Sequence, residues 1–227
     1  MSEVKKTLMT TGTLEKVLKI LKQEIKKWKV PAVGQIADEP GERAFRTLIS
    51  TILSLRTKDA VTIAASRRLL RRAATPQEIV GLSSPEIEKL IYPVGFYRTK
   101  AKSLLKTCDI LINQYDGRVP GTMEELLALP GVGRKTANLV LTVGFDKFGI
   151  CVDTHVHRIS NIWGYVKTKA PDETEFALRE KLPKKHWKTY NDILVTFGQN
   201  LCLPVSPWCS RCVLERYCPR IGVKRSR

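Results

Sequence analysis

Apolar residues recur at every third or fourth position along nearly the whole chain, and that period dictates helices. Leu14, Val17, Leu18, Leu21 and Ile25 form one stripe, and Phe45, Leu48, Ile49, Ile52 and Leu53 a second. Ala101, Leu104, Leu105, Cys108, Leu111 and Ile112 form a third. No stretch alternates apolar and polar residues between hairpin turns, so strands are not expected. Start signals stand where helices should begin. Ser84 before Pro85 reads as an N-cap followed by proline at the first helical position. Thr122 with Glu125 reads as a capping box. The expectation is an all-α protein of about ten short helices. The closing "RIGVKRSR" reads as a basic tail.

The charge narrows the partners. The 227 residues carry a formal net charge of +17, which points to a polyanion. Nucleic acid fits better than membrane, because no segment approaches the ~20 apolar residues of a spanning helix. A basic ribosome-associated or thermostable protein is the alternative. The N-terminal "MSEVKKTLMTTGTLEKVLKILKQ" has no apolar signal core. The six cysteines are therefore expected in a reducing compartment, where clustered cysteines mean metal more often than disulfides.

Four of them, Cys202, Cys209, Cys212 and Cys218, are spaced C-x6-C-x2-C-x5-C within 17 residues. Zinc sites usually pair two close-set couples across a longer gap, and here only Cys209 and Cys212 are close-set. The uneven spacing suits a loop wrapped round a [4Fe-4S] cluster, with zinc as the alternative. Cys108 and Cys151 sit in apolar surroundings and read as core.

"LPGVGRKTANLVL" joins two helical patterns through Gly131 and Gly133, a helix–hairpin–helix. Its second helix aims free N–H groups and the positive end of its dipole at the hairpin, where a DNA phosphate fits. An ordinary packing corner is the alternative. Lys135 falls in the first turn of that helix beside Arg134. Dipole and neighbouring cation both disfavour an ammonium ion there. A neutral amine so placed is a nucleophile able to form a Schiff base; electrostatic phosphate binding is the alternative. Asp153, in "VDTHVHRIS", reads as an N-cap. A carboxylate held ionised at a helix start could also stabilise positive charge developing on a sugar, or take a proton from an attacking amine. His155 and His157 point to different faces, which argues for surface or DNA contacts rather than a metal pair.

The hairpin, "VDTH" and the four cysteines, in this order, resemble the endonuclease III family of DNA glycosylase/AP lyases. "LIYPVGFYRTKAKSLLKT" resembles its eukaryotic-type members, and the match runs from about Phe45 to Pro219. The resemblance implies a six-helix barrel over residues 37 to 147. It implies a cluster domain made of residues 1 to 36 and 148 to 227, with a DNA cleft between the two. Lys135 and Asp153 would meet in that cleft. It further implies base excision repair of oxidised pyrimidines such as thymine glycol. The nucleotide would be flipped out, Lys135 would form a Schiff base at C1′ with help from Asp153, and β-elimination would cut the strand. Relatives without the lysine excise bases without strong lyase activity. The cluster would be structural and electrostatic, with Arg211 and Arg216 presenting charge to phosphates.

The chain departs from the family twice. Arg56 stands where a glutamine usually fills the gap left by the flipped nucleotide, and it could pair with an orphan guanine. The loop "LPVSPW" lacks the basic residues of the bacterial form. Leu82 stands where the resemblance suggests a wedge leucine; because "GLSSPEI" is a generic loop-to-helix entry, a core residue is the alternative. The implied DNA contacts are thus Gly131, Gly133, Arg134, Arg56, Leu82 and His155. The implied partner is duplex DNA with damaged pyrimidines or abasic sites, bound by a monomer. The implied compartment is the cytoplasm with its nucleoid in a prokaryote, or the nucleus or mitochondrion in a eukaryote. A mismatch glycosylase and a non-catalytic iron–sulfur DNA-binding module are the alternatives.

Overall fold

The computed structural model describes residues 8–29 and 31–227. All regular structure among them is helical. The chain divides into two compact units: Met1–Val30 with Ile150–Arg227, and Pro31–Gly149. Of the segments expected in a cluster domain, residues 1–7 and residue 30 lie outside the described residues.

The Pro31–Gly149 unit is built round one helix. Its elements are α2 (Ala32–Ala37), α3 (Arg43–Ser54), α4 (Asp59–Arg72), α5 (Pro76–Val80), α6 (Ser84–Ile91), α7 (Tyr97–Tyr115), α8 (Met123–Leu127) and α9 (Arg134–Leu139), the last continued by a π turn, Val140–Gly144. In α3 every residue from Ala44 to Leu53 is buried. A helix buried on all sides cannot leave its polar side chains unpaired. Thr47 and Thr51 therefore donate back to the carbonyls of Arg43 and Thr47, at 2.8 and 2.6 Å. Helices α2, α4, α7 and α9 pack round it. The unit begins earlier than residue 37 because α2 joins this core: Ile36 is fully buried in it, and the Ala32 N–H donates to Asp59.

Helix starts follow the sequence signals with small shifts. The cap of α6 is Ser83, one residue before the expected Ser84, and it forms a capping box with Glu86. A second box, Thr75 with Glu78, starts α5. At α8 the Thr122 hydroxyl accepts from the Glu125 N–H and donates to the Glu125 carboxylate.

The other unit packs α1 (Thr11–Glu24), α10 (Thr154–Ile162), α11 (Pro171–Lys181) and α12 (Trp187–Asn200) round Leu14, Leu18, Leu21, Trp163, Tyr190 and Phe197. Ile25 falls just past α1, in a single 3-10 turn, Ile25–Lys27. A loop with little regular structure follows α12 and carries the four clustered cysteines. Leu214, fully buried, anchors it. The basic tail is mostly exposed but is fastened through its backbone. Ile221 donates to the Ile162 carbonyl, Arg227 donates to that of Pro207, and the Ser210 N–H donates to that of Arg227, at 3.0, 2.9 and 2.9 Å. Among the described residues no helix is long and apolar enough to cross a membrane.

Candidate catalytic and nucleic-acid-binding site

The hairpin is held from both ends. Leu129 and Val132 are buried, while Gly131 and Gly133 face out. The buried Thr107 of α7 donates to the Pro130 carbonyl at 3.1 Å, and Val132 donates to that of Leu129 at 3.1 Å. The two glycines differ. Gly131 has φ +76°, the left-handed region that disfavours a Cβ. Gly133 has φ −100°, open to any residue, and a Cβ there would meet nothing within 4 Å. The chain itself therefore does not require glycine at 133; a partner approaching the backbone would. Gly133 is the N-cap of α9 and offers no side chain to close the helix start. Arg134 and Lys135, both partly exposed, are the first two residues of that helix.

Arg56, exposed, lies at φ 52° just past α3. Its guanidinium stands over the ring of Phe96, 5.5 Å from the centroid. Phe96 is 62% exposed, has φ 58°, and precedes α7. An exposed phenylalanine in a left-handed conformation beside an arginine was invisible in the sequence, because 40 residues separate them. Leu82 does not serve as a surface wedge. It is 4% exposed and belongs to the core of this unit. It lies between α5 and α6, both of which pack against α7, an arrangement the local sequence does not encode.

In the other unit Asp153 caps α10. Its Oδ1 accepts from the N–H groups of His155 and Val156, both at 2.9 Å, so Oδ2 takes no part in the cap. His155 is half-buried. Its ring lies against Gly198 of α12, where a Cβ would collide with Nδ1, and Nδ1 accepts from Arg158 at 3.3 Å. His157 pairs with Thr174 at 2.7 Å. Arg158 also donates to the Cys202 carbonyl at 2.6 Å and to its Sγ at 3.5 Å. The helix that starts at Asp153 is thereby tied to the first clustered cysteine.

Cys202, Cys209, Cys212 and Cys218 line one apolar cavity with Trp163, Phe197, Pro207, Trp208 and Leu214. Burial pushes the Cys212 thiol up to about 12, and raises that of Cys202 against the pull of Arg158. Thiolates crowded there need a compensating cation. Among the described residues no three His, Cys, Asp or Glu side chains are grouped as ligands of a single metal ion. Cys108 and Cys151 are buried in the core, as read from sequence. Arg211 and Arg227 both stack on Trp208, each 4.6 Å from its ring centroid.

Residues 49–184 match the model of the HhH-GPD superfamily of base excision DNA repair proteins. Endonuclease III of Thermotoga maritima is 50% identical over 77% of this chain and 82% of its own length. The chloroplastic endonuclease III homolog 2 of Arabidopsis thaliana is 48% identical over 79% of this chain, and the match spans about half (49%) of that longer protein. Among solved structures, a trapped endonuclease III–DNA covalent intermediate superimposes with a TM-score of 0.83 at 32% identity, over 93% of this chain and 96% of that one.

Proposed function

The chain belongs to the endonuclease III family of base excision repair DNA glycosylase/AP lyases, and from that premise we propose how its own residues divide the reaction. The observation that carries the proposal is the hairpin, which puts Lys135 in the first helical turn behind a glycine that the fold does not require.

Lys135 is the nucleophile. Its neutral amine attacks C1′ of the extruded nucleotide, the Nζ–C1′ bond forms, and the base leaves with the electron pair of the glycosylic bond, taking a proton from water. The Oδ2 oxygen of Asp153, outside the cap, takes the proton shed by the amine and balances positive charge on the sugar. Opening of the sugar ring turns the adduct into a protonated Schiff base. This acidifies the C2′ proton; its loss expels the 3′ phosphate, and water then frees the lysine. The backbone N–H groups around Gly133 hold a phosphate. Arg56 and Phe96 fill the gap left in the duplex: the ring stacks on neighbouring bases, and the guanidinium meets the orphan base.

A [4Fe-4S] cluster fits the cysteine loop, since four thiols surround one cavity lined by apolar side chains. Cys202, Cys209, Cys212 and Cys218 would hold it. When bound, it cross-links the loop and supplies the positive charge that the thiolates need.

Oxidised pyrimidines are the substrate class in this reading. The test is borohydride trapping on an end-labelled duplex carrying one thymine glycol, with wild type beside Lys135→Ala. A covalent adduct from wild type alone supports the lysine, the Schiff base and the lesion class together. Base release with no adduct would replace this reading with a monofunctional mismatch glycosylase.

A further inference from the structure

Lys100 is the fourth residue of α7, on the buried face that also carries Ala101 and Leu104. An apolar residue is expected there. Lys100 is nevertheless only 8% exposed. Its ammonium donates to the carbonyls of Leu53 and Leu55, at 2.9 and 2.5 Å, and reaches the Thr57 hydroxyl at 3.3 Å. All three acceptors lie where α3 ends. A helix end leaves carbonyls without intrahelical partners and carries the negative end of the dipole. The three hydrogens of the ammonium thus meet three oxygens within five residues.

The Thr57 hydroxyl is a hub. It accepts from Lys100, accepts from the Gly95 N–H at 3.1 Å, and donates to the Leu55 carbonyl at 3.2 Å. Between these two acceptors sits Arg56. A Cβ on Gly95 would stand 2.5 Å from the Arg56 carbonyl oxygen, so the two backbones touch. Arg56 and Phe96 are both left-handed without being glycine, a conformation that side chains disfavour and that persists only where the surroundings impose it. Lys100, Thr57 and Gly95 are what impose it. From the other side Arg68 of α4 donates to the carbonyls of Leu90 and Tyr92, fixing the chain that leads to Gly95.

We propose that Lys100 is a positioning residue for gap filling: its buried ammonium fastens the end of α3 to the Gly95 backbone, so that Arg56 and Phe96 meet the DNA as one preformed pair. The proposal rests on the reading of Arg56 and Phe96 as the gap-filling pair. Lys100 touches no DNA itself; it acts through Arg56.

A double-mutant cycle on the full-length holo-protein tests it. Lys100→Met and Arg56→Ala are made singly and together. Glycosylase kcat/KM and the fluorescence of 2-aminopurine placed opposite the lesion are both read. The expected result is a loss on the order of tenfold from Lys100→Met in the Arg56 background. The fluorescence signature of the filled gap should fall in parallel, with no further loss from Lys100→Met once Arg56 is alanine. Equal losses from Lys100→Met in both backgrounds would overturn the proposal and leave a packing role. If Arg56→Ala alone changes neither readout, the gap-filling reading falls first, and this inference with it. If Lys100→Met does not fold, Thr57→Val removes the hub hydroxyl from a half-buried position and enters the same cycle under the same criteria.

Discussion

Gly131 and Gly133 lie two residues apart in the hairpin under opposite constraints. The first is glycine because its backbone is left-handed, at φ +76°. The second has φ −100° and open space where a side chain would go. Gly131→Ala is therefore expected to cost about 1–2 kcal/mol, and to lower Tm by a few degrees. Gly133→Ala should change stability by less than about 0.5 kcal/mol, yet weaken duplex binding on the order of tenfold, the scale of one hydrogen bond to a charged group. Thermal unfolding beside a binding titration at fixed salt checks both. A Gly133→Ala protein with unchanged affinity would remove the phosphate from this spot.

Asp153 has two duties that substitution can separate. Asparagine caps a helix as well as aspartate but carries no charge. Asp153→Asn should keep stability within about 0.5 kcal/mol of wild type, while lowering the single-turnover excision rate roughly 10²–10³-fold. Asp153→Ala loses the cap as well, at about 1 kcal/mol. Near-wild-type excision by Asp153→Asn would leave Asp153 as a cap and nothing more.

The stripes of α1, α3 and α7 were legible because a core-facing helix repeats its apolar residues locally, and the cysteine loop because its spacing is covalent. What stayed hidden depends on distant partners. Arg46 and Lys100 look like ordinary surface cations in sequence, yet each is buried. Arg46 reaches the Ile36 carbonyl and Glu39 at 2.9 and 2.6 Å, as Lys100 reaches the end of α3. The Arg56–Phe96 pair and the docking of Arg227 on Trp208 are tertiary in the same sense. Leu82 misled for the converse reason: a leucine between a helix end and a cap looks exposed until the neighbouring helices cover it.

Burial alone pulls the Lys100 ammonium down to about 8, from an ordinary 10.5. The folded chain thus holds this proton less tightly than the unfolded chain does. Below pH 8 the cost of burying the charge is present in full. As pH rises from about 8 toward 10.5, the folded state sheds the proton while the unfolded state keeps it, so the unfolded state binds more protons and stability rises with pH. Lys100→Met has no such titration. The Tm difference, wild type minus Lys100→Met, should therefore increase across that window in matched buffers. A flat or falling difference would mean that the carbonyls of Leu53 and Leu55 hold the ammonium charged throughout.

The six cysteines should separate cleanly in a metal assay. Cys202, Cys209, Cys212 and Cys218 share one cavity. Cys108 faces the core from α7 and does not line that cavity. Replacing any one of the four by serine should strip iron and acid-labile sulfide from the purified protein and bleach its brown colour. The cavity would then lose the cross-link that organises the loop, and unfolding should move to lower temperature. Cys108→Ala and Cys151→Ala should keep the iron and the colour, at a core-packing cost of about 1 kcal/mol each. Iron and sulfide analysis beside the visible spectrum reads all six variants. Stoichiometric zinc in a colourless wild type would replace the iron–sulfur reading, and loss of iron from Cys108→Ala with the fold intact would break the division between ligands and core.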